Sequence, residues 1–104
     1  MFVYMTTCMI NGKKYIGKYE GKESDSYLGS GKLLRRAIRK YGEDNFTRTI
    51  LERYQTVSET RLGEQYWISK FNAVDSDEFY NIASGGEGGN TFAGIRGADR
   101  IQLI

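Results

Sequence analysis

The sequence predicts a small α/β (α+β) domain, a three-stranded and mainly antiparallel sheet flanked by helices. Two short runs rich in aromatic and β-branched residues, Phe2 to Ile10 and Lys13 to Tyr19, flank the pair Asn11-Gly12. Two longer stretches, opening near Lys32 and Thr56, repeat apolar residues at helical spacing. The 104 residues suffice for one modest core and not for a second.

Asn-Gly between two β-type runs is the signature of a hairpin with a two-residue primed turn. Pairing Ile10 with Lys13 then sets Cys8 opposite Tyr15, Thr6 opposite Gly17 and Tyr4 opposite Tyr19. Tyr4, Tyr15 and Tyr19 share one face, because paired residues project to the same side. Gly17 lies among them and leaves a dent where a backbone or a ligand can approach. An ordinary amphipathic core is the alternative use of such a face. Residues 18–31 are polar and glycine-spaced, a loop, with Ser30 available as a helix cap.

The helix that follows carries Leu34, Ala37, Ile38 and Tyr41 on one stripe and stops at Gly42. Its remaining surface holds Lys32, Arg35, Arg36, Arg39 and Lys40 with no acid among them, a density of like charge that invites an anion such as a phosphate backbone or else faces solvent. Phe46 to Leu51 reads as the third strand. Thr56 with Glu59 forms a capping box that opens a second helix running through Phe71. On that helix Glu64 stands in line with Trp67, Ile68 and Phe71, and a carboxylate there needs a metal ion, an arginine or strong donors to stay ionised. Gly85 to Gly89 reads as a flexible linker. The division expected is a domain over 1–84 and a Gly-rich linker with a short tail over 85–104, too short for a further DNA-binding segment.

Composition narrows the chemistry. Fifteen basic and thirteen acidic residues leave a net charge of only +2, so any nucleic-acid surface must come from local clustering. One cysteine and no histidine exclude a disulfide framework, a Cys-rich zinc site and a histidine base. The glycines at 85, 86, 88 and 89 lack the strand-then-helix context of a phosphate-binding loop, so no nucleotide cofactor is expected. No apolar run reaches the length of a membrane span and no signal peptide is visible, so an intracellular, cytoplasmic protein without a membrane partner is expected.

These motifs resemble, over roughly residues 2–90, the GIY-YIG nucleases, a family of phage homing endonucleases, some restriction enzymes and a nucleotide-excision-repair incision subunit. Phe2-Val3-Tyr4 stands for the first motif and Tyr15-Ile16-Gly17 matches the second in full. The stretch from Tyr27 to Phe46, the segment Gly63 to Ile68, and Tyr80-Asn81 followed by the glycines are similar to phage-type members in the same order. The resemblance implies hydrolysis of a DNA phosphodiester with one divalent cation, Mg²⁺ or Mn²⁺. Glu64 would hold the metal and Asn81 would close the motif set. Tyr4 would be the general base, its phenol needing a nearby cation to lose a proton normally held until pH near 10, and Tyr15 would position the water or the phosphate. Arg36 matches the recurrent arginine of the phage-type segment and would be the catalytic arginine, whereas Arg35 flanks the buried stripe and is the geometric alternative for that role. Lys32, Arg35, Arg39 and Lys40 would touch DNA. The chain departs from the family pattern at Phe2, where glycine is common, and at Tyr19 and Tyr41, where some members carry histidine. A DNA-binding module of the same fold that cleaves weakly or not at all, or a phosphodiesterase acting on RNA or small nucleotides, stand as alternatives.

Overall fold

A computed structural model of the chain describes residues 1–82, so the expected linker and tail lie outside the described residues. Strands β1 (Phe2–Cys8), β2 (Lys14–Tyr19) and β3 (Phe46–Arg53) form one antiparallel sheet in the order β2-β1-β3. Helix α1 (Lys32–Tyr41) follows β2, and helix α2 (Val57–Lys70) follows β3. The fold class read from the sequence is the one observed. Among the described residues no helix is long and apolar enough to cross a membrane.

β1 is the central strand and is covered on both faces, which explains why it reads as a nearly continuous apolar run and not as a strict alternation. Cys8 packs with Leu34 and Ala37 of α1, together with Phe46 and Tyr80. Val3 packs on the opposite face with Ile16, Ala73 and Ile68 of α2. The buried Thr6 hydroxyl is satisfied by donating to the Leu28 carbonyl at 2.6 Å.

The hairpin register differs from the expected one by two residues. Tyr4 pairs with Gly17, Thr6 with Tyr15 and Phe2 with Tyr19. The connection is a wider loop over Met9 to Gly12, in which the Cys8 amide donates to the Lys13 carbonyl and the Gly12 amide to the Cys8 carbonyl, each at 2.8 Å. Two local bonds favour it over the tight turn: the Asn11 carboxamide oxygen accepts from the Lys13 amide at 2.9 Å, and the Met9 amide finds the Asn45 carbonyl at 2.7 Å. Gly12 supplies the positive φ of 77°. A slip of two keeps every side chain on its face, so the shared tyrosine face is unaffected.

α1 ends as expected, with Gly42 at φ 91° donating to the Ile38 carbonyl. Its start differs: Gly31, and not Ser30, is the N-cap, with no side-chain hydrogen bond. Tyr15 lies against Gly31 closely enough that a β-carbon there would sit 2.5 Å from its ring, so packing decides the cap residue. At α2 the Thr56 hydroxyl accepts from the Glu59 amide at 3.0 Å, and the Glu59 carboxylate reaches back to the Gln55 amide at 3.2 Å. Within its stripe Ile68 is buried, while Phe71 at 38% exposure lies outside the core.

Residues 78–81 protect the free edge of β2. The Lys14 amide donates to the Glu78 carbonyl, and the Tyr80 amide to the Lys14 carbonyl. One step on, the Asn81 side chain takes the place of a backbone: its carboxamide oxygen accepts from the Ile16 amide at 2.9 Å and its nitrogen donates to the Ile16 carbonyl at 2.8 Å. A carboxamide can do this because it carries one acceptor and one donor in a peptide-like geometry.

Candidate active site

Four tyrosines and Phe2 gather on the α1 side of the sheet. The Tyr4 ring lies 6.4 Å from that of Tyr15 and 6.1 Å from that of Tyr27, and Tyr27 stacks on Tyr19 at 4.4 Å. Glycines make the room. A β-carbon at Gly17 would fall on the Tyr4 hydroxyl and 2.9 Å from the Tyr15 ring, and one at Gly29 would meet Tyr15 at the same distance. This is what the chain needs a glycine for after Tyr15-Ile16. Gly17→Ala is expected to cost about 1–3 kcal/mol through overpacking against a buried ring, read as a lower denaturation midpoint at unchanged slope.

The two motif tyrosines differ in environment. Tyr4 is 1% exposed. Burial pushes its hydroxyl far above the ordinary phenol value, with Tyr15, Tyr27 and the Glu64 charge adding to the rise and Arg48 opposing it. Tyr15 is half-buried and is pushed up to about 12, first by burial and then by Glu64 and Tyr27, while a hydrogen bond from the Gly31 backbone draws it down. Gly31 caps α1, so the Tyr15 hydroxyl meets the positive end of a helix. Above pH 10 the unfolded chain releases the Tyr15 proton, while the folded chain holds it until about 12. Because the folded state then binds more protons, the Tyr15 contribution to stability should be level below pH 10 and fall across that window. The denaturation midpoint measured against pH should fall less steeply in Tyr15→Phe.

Glu64 is 7% exposed on α2, the helix that covers the opposite face of the sheet. Its carboxylate nevertheless acts on both Tyr4 and Tyr15. Among the described residues no three His, Cys, Asp or Glu side chains gather to hold an ion by themselves. A metal at Glu64 would complete its shell with water and phosphate oxygens, which suits Mg²⁺ and its reluctance to dehydrate. Asn81 is buried beside these residues with both polar atoms engaged by Ile16, between Tyr15 and Gly17.

The five basic residues of α1 are all exposed, and four of them, all but Lys32, fall into two groups. Arg35 and Arg39 line one cleft with the loop from Ser26 to Gly29 and with Glu43. Arg36 and Lys40 line another with Lys13. The cation beside the tyrosines is Arg48 of β3, which the sequence reading did not single out. Its guanidinium carbon lies 5.0 Å from the Phe2 ring centroid and 5.9 Å from that of Tyr4, and it donates to the carbonyls of Tyr27 at 2.8 Å and Glu23 at 2.6 Å. Its signal was parity, since Arg48 shares a strand face with Phe46 and Ile50, two apolar residues paired with Cys8 and Tyr4. Tyr27 was missed because it sits in a polar loop whose position is fixed by that long-range arginine.

Comparison with known proteins places these features in context. The family model described as "Putative endonuclease segE, GIY-YIG domain" matches residues 1–83. The chain is 49% identical over 89 residues to "Putative endonuclease segE" of Enterobacteria phage T4, covering 85% of this chain and 43% of that protein. It is 36% identical over 89 residues to "Endonuclease segA" of the same phage, covering 85% and 40%. The chain thus spans less than half the length of these curated relatives. Among solved structures, a mutant of the catalytic domain of intron endonuclease I-TevI aligns with a TM-score of 0.63 at 24% identity, over 83% of this chain and 96% of that one, a likeness of fold.

Proposed function

The chain belongs to the GIY-YIG endonuclease family, and from that premise we propose that residues 1–84 form a divalent-metal-dependent nuclease domain that hydrolyses phosphodiester bonds of DNA. The observation that carries this reading is the Glu64 carboxylate, 7% exposed on the helix behind the motif strands, with its charge adding to the rise of both motif tyrosines. Glu64 would hold Mg²⁺ or Mn²⁺, which when bound supplies a Lewis acid at the phosphate. The same charge bears on the tyrosines. The Glu64 charge raises both phenols, whereas a dication held at that carboxylate would reverse the local sign and favour the phenolate.

Tyr15 takes the role of proton acceptor that the motif reading gave to Tyr4, because the residue is half-buried where Tyr4 is fully buried, and its hydroxyl is less raised and met by the Gly31 backbone. As the phenolate it takes a proton from the attacking water, whose oxygen bonds to phosphorus while the bond from phosphorus to the leaving oxygen breaks, and the leaving oxygen takes up a proton from solvent. Tyr4, buried and locked over Gly17, positions Tyr15. Arg48 and Asn81 are positioning residues: one holds the loop that brings Tyr27 over Tyr4, and the other fixes the strand between Tyr15 and Gly17. Arg36 is the arginine favoured by motif. Its exposed guanidinium, on the flank of α1 beside Lys40, is suited to a phosphate contact. Lys32, Arg35 and Arg39 extend that basic surface. A binding module that does not cleave is the second reading, drawn from Tyr19, which donates to Asp25 at 2.5 Å at a position near which some members have histidine.

Phenolate absorbance tests the proposed coupling without relying on cleavage. In the difference between wild type and Tyr15→Phe, Mg²⁺ should move the tyrosine titration to lower pH, and in Glu64→Gln it should have no such effect. A titration indifferent to Mg²⁺ in the wild type would remove Glu64 as the ion's holder.

A further inference from the structure

We infer that the cleft between the hairpin loop and the second half of α1 is a DNA-backbone phosphate site, separate from the tyrosine cluster and contributed by both Lys13 and Lys40. The cleft measures about 290 Å³. Lys13 of the hairpin, Arg36 and Lys40 of α1, Asn11, Tyr41 and Tyr80 are among its lining residues, and no carboxylate is. The cleft on the other flank of α1 has two arginines but also Glu43, so its charge is partly answered within the fold. The Lys13 side thus concentrates three cations from two separate elements around one concavity.

Convergent like charge raises the energy of the folded chain unless an anion joins it. The cations are also held in place. Lys13 Nζ lies 5.9 Å from the Tyr80 ring centroid and Lys40 Nζ lies 5.2 Å from that of Tyr41, so both ammonium groups rest on the aromatic walls. Between them the Asn11 carboxamide donates to the Tyr80 hydroxyl at 3.1 Å, giving the cleft a polar floor. Two features favour a polymer phosphate over a free ion: the cleft is open, with Arg36 and Lys40 exposed, and it shares a helix with the candidate active site. Tyr15 meets Gly31 at the start of α1, and Lys40 lies about 13 Å further along the axis at 1.5 Å per residue. One duplex can therefore touch both.

This inference rests on the nuclease reading for its ligand, and the test separates the two. Binding of a labelled duplex is followed by fluorescence anisotropy against salt in Ca²⁺ for the wild type, Lys13→Ala/Lys40→Ala and the charge control Arg61→Ala on α2. The double variant should reduce the slope of log affinity against log salt by about two units while Arg61→Ala leaves it unchanged. Lys13→Gln/Lys40→Gln, which keeps more of each side chain, should behave as the alanine pair does. A double variant with the wild-type slope overturns the site and leaves the nuclease reading intact. A wild-type chain that binds no duplex at any salt overturns both. In a final arm, inorganic phosphate is added at fixed ionic strength. It should not displace the duplex, and displacement from the wild type but not from the double variant would make the cleft a free-anion site and overturn the backbone assignment.

Discussion

Glu64→Gln should abolish DNA cleavage, by at least about a thousandfold, and leave the fold standing. The substitution keeps the shape and packing of a buried side chain and removes its charge, so the fold behind the sheet should survive it. What makes the variant informative is that its two electrostatic effects oppose each other. Glu64 raises both Tyr4 and Tyr15, so neutralising it lowers both and by itself makes a phenolate base easier to form. If Glu64 acted only through its field on the tyrosines, Glu64→Gln would cleave faster. Loss of cleavage together with a lowered tyrosine titration identifies the carboxylate as the holder of the ion. A variant as fast as wild type or faster, in a preparation shown folded by circular dichroism, would refute that role.

Tyr15→Phe should lower the single-turnover cleavage rate by about 10²- to 10⁴-fold, the range for loss of a positioned proton acceptor. Stability should change little, because the ring that packs against Gly29 and Gly31 remains. The wild-type rate should rise with pH, since the base works in its deprotonated form and its proton is held up to about 12 before a cation acts on it. In Tyr15→Phe that rise should disappear along with the rate. Tyr4→Phe should lose less rate and keep the pH dependence, because the Tyr4 hydroxyl is wholly buried and still more reluctant to ionise. If Tyr4→Phe flattens the pH profile and Tyr15→Phe does not, the roles are exchanged.

What was legible in the sequence was what periodicity governs. Strand parity placed Tyr4, Tyr15 and Tyr19 on one face even though the pairing slipped by two, because only a slip of one changes faces. A carboxylate in line with Ile68 announced Glu64 as buried, since so costly a placement needs a reason. The capping box of α2 and the glycine stop of α1 were equally local. What escaped was decided by contacts distant in sequence. Ser30 yielded the cap to Gly31 because Tyr15 packs there, and Phe71 left the stripe where the helix ends. Arg48 and Tyr27 meet across 21 positions, and Asn81 finds Ile16 across 65. No window of local sequence contains such pairs. Nor could composition show that the cations of α1 face two different clefts, since that depends on where the hairpin loop and Glu43 come to rest.

A plasmid-nicking assay, with and without a divalent cation, bears on the central claim most directly. Supercoiled DNA incubated with the chain in Mg²⁺ or Mn²⁺ should be converted to the nicked form, and a chelator or Glu64→Gln should stop the conversion. A folded chain that binds the plasmid but leaves it supercoiled with either ion would contradict the account, as would nicking that persists in chelator.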